Sequence, residues 1–318
     1  MSKIFCLNPE YSTTRSVTQL NTLGKDNKTN ILTSANSNNE RIGGLRTNGY
    51  FKIGNHTKLN GVTLKPLITV ITVVFNGSDS LEETILSVIN QSYENIEYIV
   101  IDGGSTDDSI DIIRRYEHAI DFWISEKDGG IYDAMNKGIA IASGDWVNFM
   151  YGGDLFYSTD TIKSIFNNKL DHSKIIYGDV HIRYNNFTRI QQANSPSKLW
   201  QGMSFSHQSV FCDLKYHKMN LFNKKNKVCA DLEFYYKAYK KDVHFKNTST
   251  IISSVDVGGI SESSRLETLK LSKIAVLKGG ALPLVHLYYF YKYIDTLIRL
   301  FFKLILPSSW VKKLILYK

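Results

Sequence analysis

The stretch 67-LITVITVVFNG-77 is an unbroken run of apolar and β-branched residues closed by Asn76 and Gly77. A run with no polar face fits a strand covered on both sides, as in the middle of a parallel sheet. Beyond it, Ser80 and Glu83 have the spacing of a capping box, and Leu81, Ile85, Val88 and Ile89 form one apolar stripe. Those signals predict a helix directly after the strand. The unit then repeats: IEYIVID (96–102), a glycine turn, a helix from about Asp107 to Tyr116, FWIS (122–125), a helix around Tyr132 to Ala142, and DWVNFMY (145–151). Alternating strands and helices predict a doubly wound α/β sheet, mainly parallel, whose ligands bind beyond the carboxyl ends of the strands.

Polar residues recur at those ends. Asn76 follows the first strand, Asp102 closes the second, Asp128 lies just past the third and Asp154 just past the fourth. One carboxylate at a strand end can serve as a helix cap or turn former; three on one rim point to a polar crevice. Asp154 is the sole charged group of NFMYGGDLFY (148–157), where desolvation penalises it unless a cation comes to meet it. The two preceding glycines, lacking a Cβ, are read as letting the backbone approach a ligand. No GxGxxG follows the first strand and no GxxxxGK[ST] occurs, which excludes a dinucleotide fold and a P-loop. An acidic crevice suits a phosphate ligand bridged by a metal.

The rest of the chain sets limits. With 318 residues, 43% of them hydrophobic, it can bury a full core in one large domain or two. Cys6, Cys212 and Cys229 are scattered and include no CxxC pair, so neither a disulfide framework nor a zinc cluster is indicated, and a reducing compartment is expected. MSKIFCLNPEYS has no apolar core of useful length, so no signal peptide is expected. The net charge of +8 resides in one place: residues 264–318 hold ten Lys/Arg against two Asp/Glu, and the first 263 residues balance at 28 each. That distribution argues against a nucleic-acid partner. Residues 1–60, rich in Asn, Ser, Thr and Gly, read as a loosely structured extension, and IGGLRTNG (42–49) reads as a turn rather than a phosphate loop.

Together, ITVVFNGSDSLEETILSVINQSYENIEYIVIDGGSTDDSIDIIRRY and SEKDGGIYDAMNKGIAIASGDWVNFMYGGD resemble the nucleotide-binding half of inverting family-two glycosyltransferases with a GT-A fold, of the bacterial surface-polysaccharide type. The similarity covers 66–158 and continues in MSFSHQSVF (203–211), CADLEFYY (229–236) and VGGIS (257–261). It implies an α/β fold of the GT-A type: a doubly wound, mixed but mainly parallel sheet of Rossmann-like βα units, with the catalytic domain at 61–263. Within that domain, 66–158 would bind nucleotide and 159–263 the acceptor. By resemblance, Phe75 packs on the nucleobase and Asp102 accepts a hydrogen bond from base or ribose, with Asn76 and Asp128 also on the nucleotide side. Asp154 matches the last acid of the DxD-like motif and would bind Mg²⁺ or Mn²⁺ on the diphosphate. The sequence departs from the pattern here, because Gly153 stands where many relatives carry another acid and Tyr151 where Asn or Asp is usual. The cation would then lean more on phosphate and water.

An inverting transfer needs a further carboxylate to take the proton of the acceptor hydroxyl. Asp231 matches the family's base. Glu233 is its neighbour, but on a helix the two lie about 200° apart, so one of them faces the crevice. His207 and Gln208 match a polar pair on the acceptor side, with a metal role and a structural role both open for His207. GGIS at 258–261 reads as a mobile turn near the site. The resemblance implies transfer of a single sugar, since the QxxRW signature of processive synthases is absent; the donor favoured is a UDP-sugar and the acceptor a hydroxyl of a glycan or lipid-linked glycan in surface-polysaccharide (O-antigen or capsule) synthesis. The alternatives are a non-catalytic nucleotide-sugar-binding or scaffold protein, and a pyrophosphorylase, whose GxGxR loop FNGSDS lacks.

The tail, 264–318, is basic and amphipathic. Lys292, Asp295, Thr296, Arg299 and Lys303 share about a 100° arc, and Ile294, Leu297, Ile298, Leu300, Phe301, Phe302, Leu304 and Ile305 occupy the other side. Its apolar stretch is too short to span a bilayer. A helix lying in the membrane plane, with a peripheral cytoplasmic location at the inner membrane, is the expectation.

Overall fold

The structure, a computed structural model, describes residues 4–19, 41–52, 58–59, 62–63, 65–167, 172–257, 265–278, 280 and 283–305. The turn expected at 258–261 and the chain beyond 305 lie outside these residues.

The decisive run folds as anticipated. With Ile42–Gly43 as β1, the strands of the first half are β2 (Ile68–Val74), β3 (Ile96–Asp102), β4 (Phe122–Ser125) and β5 (Trp146–Tyr151). All residues of β2 and β3 are buried, as the absence of a polar face requires. β5, β2, β3 and β4 pair in parallel in that order, so their carboxyl ends share one rim. Between them run α1 (Ser78–Ile89), α2 (Ser109–Arg115) and α3 (Ile131–Ile141).

The start of α1 corrects the capping-box expectation. The helix opens at Ser78 after Gly77, with no cap from its own side chains. Its first donors are satisfied from the neighbouring unit: Ser78 N–H donates to Asp107 Oδ2 at 2.9 Å and Gly77 N–H to Ser109 Oγ at 3.1 Å. With those partners supplied across the crevice, the helix can begin where the chain leaves β2, and the Ser80/Glu83 pair is redundant. Desolvation opposes the Asp107 charge, but the hydrogen bonds from Ser109 and Ser78 prevail and hold its pKa down at about 2.

The second half adds β6 (Leu155–Phe156), α4 (Thr161–Phe166), β7 (Ile175–Arg183), β8 (Thr188–Gln191), β9 (Val210–Asp213), α5 (Leu214–Met219), α6 (Ala230–Lys240) and β10 (Phe245–Asp256). Among the described residues the sheet has ten strands, in the order β6-β10-β7-β9-β5-β2-β3-β4-β1, with β8 paired to β7. β9 is antiparallel to both β5 and β7, so β7 points the same way as β5 and ends, at Arg183, on the same rim.

Side-chain alternation along β2 divides the core into two layers. Ile71 and Val73 face α3 and α6, together with Met135, Ile139, Leu232 and Tyr235. Ile68, Val70 and Val74 face α1, α2 and α4, against Leu81, Ile85, Ile113 and Ile162. Helix α3 lies close on the sheet because Gly138 is where it touches: a Cβ there would come within 2.6 Å of Ile71 Cγ2.

The described parts of residues 1–60 pack on this body. β1 extends the sheet antiparallel to β4. Lys52 Nζ is buried 3.0 and 3.2 Å from the two oxygens of Asp121, and also donates to the Ile96 carbonyl at 2.9 Å. Arg46 pairs with buried Glu97, which also accepts from Thr69 Oγ1 at 2.6 Å. At the other end, α7 (Arg265–Lys278) and α8 (Pro283–Ile305) form a helical pair, and α8 begins well before the charged stretch that the sequence pattern marks out.

Candidate active site

The rim gathers three groups of residues. The first lies at the ends of β2 and β3. Phe75 is 65% exposed, an unusual position for a phenylalanine directly after a buried strand. A Cβ on Gly103 would lie 3.4 Å from Phe75 Cδ2 and 2.8 Å from Asp128 Oδ2, so the ring, the glycine and the Asp128 carboxylate adjoin. Together they make a flat apolar wall with an acceptor at its edge, the arrangement a nucleobase needs. Asn76 (φ 50°) turns the chain, and its Oδ1 accepts from Thr106 N–H at 2.9 Å. Asp102 is fully buried and organises the turn: it accepts from Gly104 N–H at 3.0 Å, Ser105 N–H at 2.9 Å and Ser125 Oγ at 2.6 Å, as well as from Ser105 Oγ. Its carboxylate shapes the DGGS loop from beneath. Asp128 accepts from Gly130 N–H at 2.8 Å, ahead of α3.

The second group is the turn after β5. Asp154 is 9% exposed, and its Oδ2 accepts from Gln208 Nε2 at 2.9 Å and Tyr151 N–H at 3.3 Å. No hydrogen bond falls on Oδ1 among the described contacts. Burial pushes its pKa up to about 6 despite those bonds and the nearby Arg183 charge. The glycines before it serve the turn itself. Gly153 has φ 102°, and a Cβ on it would stand 3.1 Å from Ser80 Oγ, while one on Gly152 would stand 3.2 Å from Val74 Cγ2. The lack of side chains therefore lets the turn close on α1 and β2. Gly153 N–H donates to Thr84 Oγ1 at 2.8 Å, and its carbonyl accepts from Arg183 Nη2 at 2.8 Å. Arg183 in turn forks onto Asp256 at 2.9 and 3.0 Å. β7 and β10 thus hold the turn of Asp154 with a charged clasp.

The third group sits at the start of α6. Asp231 lies in its first turn, with Oδ1 accepting from Tyr132 Oη at 2.9 Å and from Leu232 N–H at 2.8 Å. Burial raises its pKa above the usual carboxylate range. The Tyr132 hydroxyl, from the first turn of α3, also lies 3.0 Å from the Val228 carbonyl, which shares the hydroxyl's one proton with Asp231 and ties α3 to the α6 approach. Burial, then the Asp231 charge, raises the Tyr132 and Tyr151 phenols well above their ordinary pKa, and Asp154 adds to the effect at Tyr151. The Tyr151 phenol thus lies within electrostatic reach of both carboxylates, so Asp154 and Asp231 share one neighbourhood.

Glu233 belongs elsewhere. It is buried, accepting from Lys237 Nζ at 2.6 Å, Asn223 Nδ2 at 3.0 Å and Asn226 Nδ2 at 3.4 Å. Burial opposes its charge, but those donors hold its carboxyl below the usual value. It clamps the 223–226 loop. Gln208 points at Asp154, with its carbonyl oxygen fixed by Ser206 Oγ at 2.7 Å. His207 is sealed among rings, stacked on Phe149 and Tyr151 at 5.4 and 5.7 Å, with Nδ1 3.3 Å from Tyr235 Oη. Burial pushes its pKa down to about 3, which keeps the ring neutral, and its Nε2 has no hydrogen-bond partner among the described residues. Tyr132 and Arg183 were not singled out from the sequence. Tyr132 is signalled only by its place in a helix's first turn after a strand end.

A divalent cation finds one carboxylate here. Among the described residues no three His, Cys, Asp or Glu side chains group around a point. A buried carboxylate with one oxygen held by Gln208 and the other unbonded fits a hard cation that arrives with its diphosphate and keeps its waters, and does not fit a preformed protein cage.

Comparison with known proteins agrees with this layout. The family model described as glycosyl transferase family 2 matches residues 69–245. A Haemophilus influenzae protein described as an uncharacterized glycosyltransferase is 30% identical over 209 residues, covering 63% of this chain and 82% of its own. A Mycobacterium tuberculosis PGL/p-HBAD biosynthesis glycosyltransferase is 29% identical over 180 residues, 53% of this chain and 68% of its own. Another M. tuberculosis glycosyltransferase is 47% identical over 102 residues, and the chain spans 39% of its length. Among solved structures, S. aureus TarS in complex with UDP-GlcNAc superposes with a TM-score of 0.54 at 18% identity, over 68% of each chain. The mannosyltransferase PcManGT of Pyrobaculum calidifontis, in complex with GDP-Man and Mn²⁺, does so with 0.54 at 15% identity, over 73% of this chain and 70% of its own. The family match, together with a sheet and rim of this topology, shows that the chain belongs to glycosyl transferase family 2 and has its GT-A fold.

Proposed function

We propose that the protein is an inverting glycosyltransferase that moves one sugar from a nucleoside diphosphate sugar, with UDP as the nucleotide, to a hydroxyl of a glycan or lipid-linked acceptor in surface-polysaccharide synthesis. Such an acceptor puts the enzyme at the cytoplasmic face of the inner membrane. The observation that carries the reading is two carboxylates near Tyr151 that are each fixed by a neutral donor: Asp154 by Gln208 Nε2 at 2.9 Å and Asp231 by Tyr132 Oη at 2.9 Å. One follows β5 at the strand rim that also carries Phe75, the other opens α6.

Donor binding falls to the rim. Phe75 supplies the face for the base, and Gly103 and Asp128 its edge. Asp154, steadied by Gln208 and the Arg183 clasp, would hold Mg²⁺ or Mn²⁺, which when bound offsets the negative charge of the leaving diphosphate. Asp231 is the general base. The acceptor oxygen attacks the anomeric carbon as the bond to the diphosphate breaks, the leaving group keeps the electron pair, and the acceptor proton passes to Asp231. Burial, which makes its anion more basic, suits that step, and Tyr132 fixes the carboxylate through Oδ1 while Oδ2 meets the hydroxyl. Attack from the side opposite the leaving group inverts the anomeric centre.

Labelled nucleotide sugars with Mn²⁺ or Mg²⁺ test this. Slow nucleotide release is expected with one donor in preference to others, and proton NMR should show the inverted anomer formed first. Tight UDP binding without release from any donor would mean a nucleotide-sugar binder, and a retained anomer would remove the single-base mechanism.

A further inference from the structure

Helix α8 packs on the body with the side its sequence pattern marks as polar. Val285 and Tyr289 are buried, the Tyr288 ring meets Trp200 at 5.1 Å, and Tyr288 Oη donates to the Gln201 carbonyl at 3.3 Å. At 100° per residue these three share an arc of about 120° with Lys292, Asp295 and Arg299. The apolar stripe is opposite and faces outward. Leu287, Phe290, Tyr291, Ile294, Ile298 and Phe301 fall within about 100° of one another, and they are exposed by 67, 67, 64, 40, 49 and 59%. From Leu287 to Phe301 the stripe runs about 21 Å along the helix, a continuous apolar surface of the kind soluble monomers seldom leave uncovered.

No helix among the described residues is long and apolar enough to cross a membrane. We infer that α8 lies in the plane of an anionic lipid surface, its outward stripe in the acyl boundary, with the catalytic domain standing on its opposite side. Charge selects this occupant over a second copy of the chain. Lys292 and Arg299 of α8 lie on the body-facing arc, but residues 264–318 as a whole carry ten Lys/Arg against two Asp/Glu, so a second copy would bring one basic tail to another, whereas anionic headgroups complement it. Tyr291 and Tyr293, both exposed, add rings suited to the headgroup level. The docked helix also adjoins the chemistry: Trp200 belongs to the Pro196–Gln201 turn, which packs on α6, the helix of Asp231. The inference rests on the glycosyltransferase reading for its purpose, delivery of a lipid-linked acceptor to Asp231, though not for its measurement.

Flotation of the full chain with phosphatidylglycerol or phosphatidylcholine vesicles tests it, beside the variant Leu287→Glu/Ile294→Glu, with thermal melting and UDP affinity as controls. Wild type should float with phosphatidylglycerol at low salt, weakly with phosphatidylcholine, and the variant should lose at least ~10-fold of that partition with melting and UDP affinity unchanged. Wild type remaining at the bottom, or the variant floating equally well, overturns the inference. So does a wild-type dimer that the variant turns into a monomer without flotation of either, since the stripe would then be a self-association surface. Flotation without UDP binding would sustain the lipid surface while removing the proposed function.

Discussion

Asp154 shows what a single residue can report. Burial lifts its folded pKa to about 6, above the 3.8 ordinary for an aspartate, so between those pH values the folded chain holds a proton that the unfolded chain has released. Its contribution to stability is therefore intact below pH ~4 and declines as pH rises to ~6, and above that burial of the charge costs about 3 kcal/mol. Asp154→Asn is expected to raise the melting temperature of the ligand-free protein at pH 7.5 and to leave it unchanged near pH 3.5. An equal shift at both pH values would show that the side chain is not buried as a charge. Tyr132 makes a second prediction at this scale. Its hydroxyl donates to Asp231 and favours the carboxylate over the acid. Tyr132→Phe should move the acidic limb of the rate profile to higher pH and lower kcat by roughly 10-fold, with UDP affinity unchanged. A lower kcat with an unmoved limb would reduce Tyr132 to packing.

Among the elements, the early strands were legible because burial on both faces leaves no polar position in the sequence, and β2, β3, β4 and β5 fall within a residue or so of expectation. The beginning of α1 was not, since its donors are satisfied by Asp107 and Ser109 from another unit. The N-terminal stretch gave no periodic signal because its described contacts are two- and three-residue strand pairs, such as Ile42–Gly43 on β4, and single polar anchors. Lys52 is the clearest, buried against Asp121, whose carboxyl burial raises even with the ammonium beside it. Lys52→Met leaves that carboxylate without its counter-charge and should destabilise the fold by about 3–5 kcal/mol. Lys52→Met/Asp121→Asn should recover much of the loss, because Asn keeps an acceptor for Tyr98 N–H. A single variant as stable as wild type by urea denaturation would make the N-terminal stretch a passive appendage.

For the whole molecule, the rim could be read from the sequence because strand ends carry their polar residues in a fixed place, and all parallel ends point one way. The partnerships across it could not. Gln208 reaching Asp154, Arg183 clasping the Gly153 carbonyl, and Tyr132 meeting Asp231 join residues 54, 30 and 99 positions apart. Such pairings depend on β9 entering antiparallel beside β5, which no local pattern encodes. The same is true of α8, whose periodicity revealed an apolar stripe but not which side would meet the body. The account as a whole stands on a division of labour between two carboxylates, and one comparison tests it most directly: UDP affinity with and without Mn²⁺, and donor turnover, for Asp154→Ala and Asp231→Asn. Asp154→Ala should abolish the Mn²⁺ enhancement of UDP binding together with turnover. Asp231→Asn should bind UDP·Mn²⁺ as wild type does while turning over at least ~100-fold more slowly. A Mn²⁺ effect undiminished in the first variant, or near-normal turnover in the second, would contradict the account.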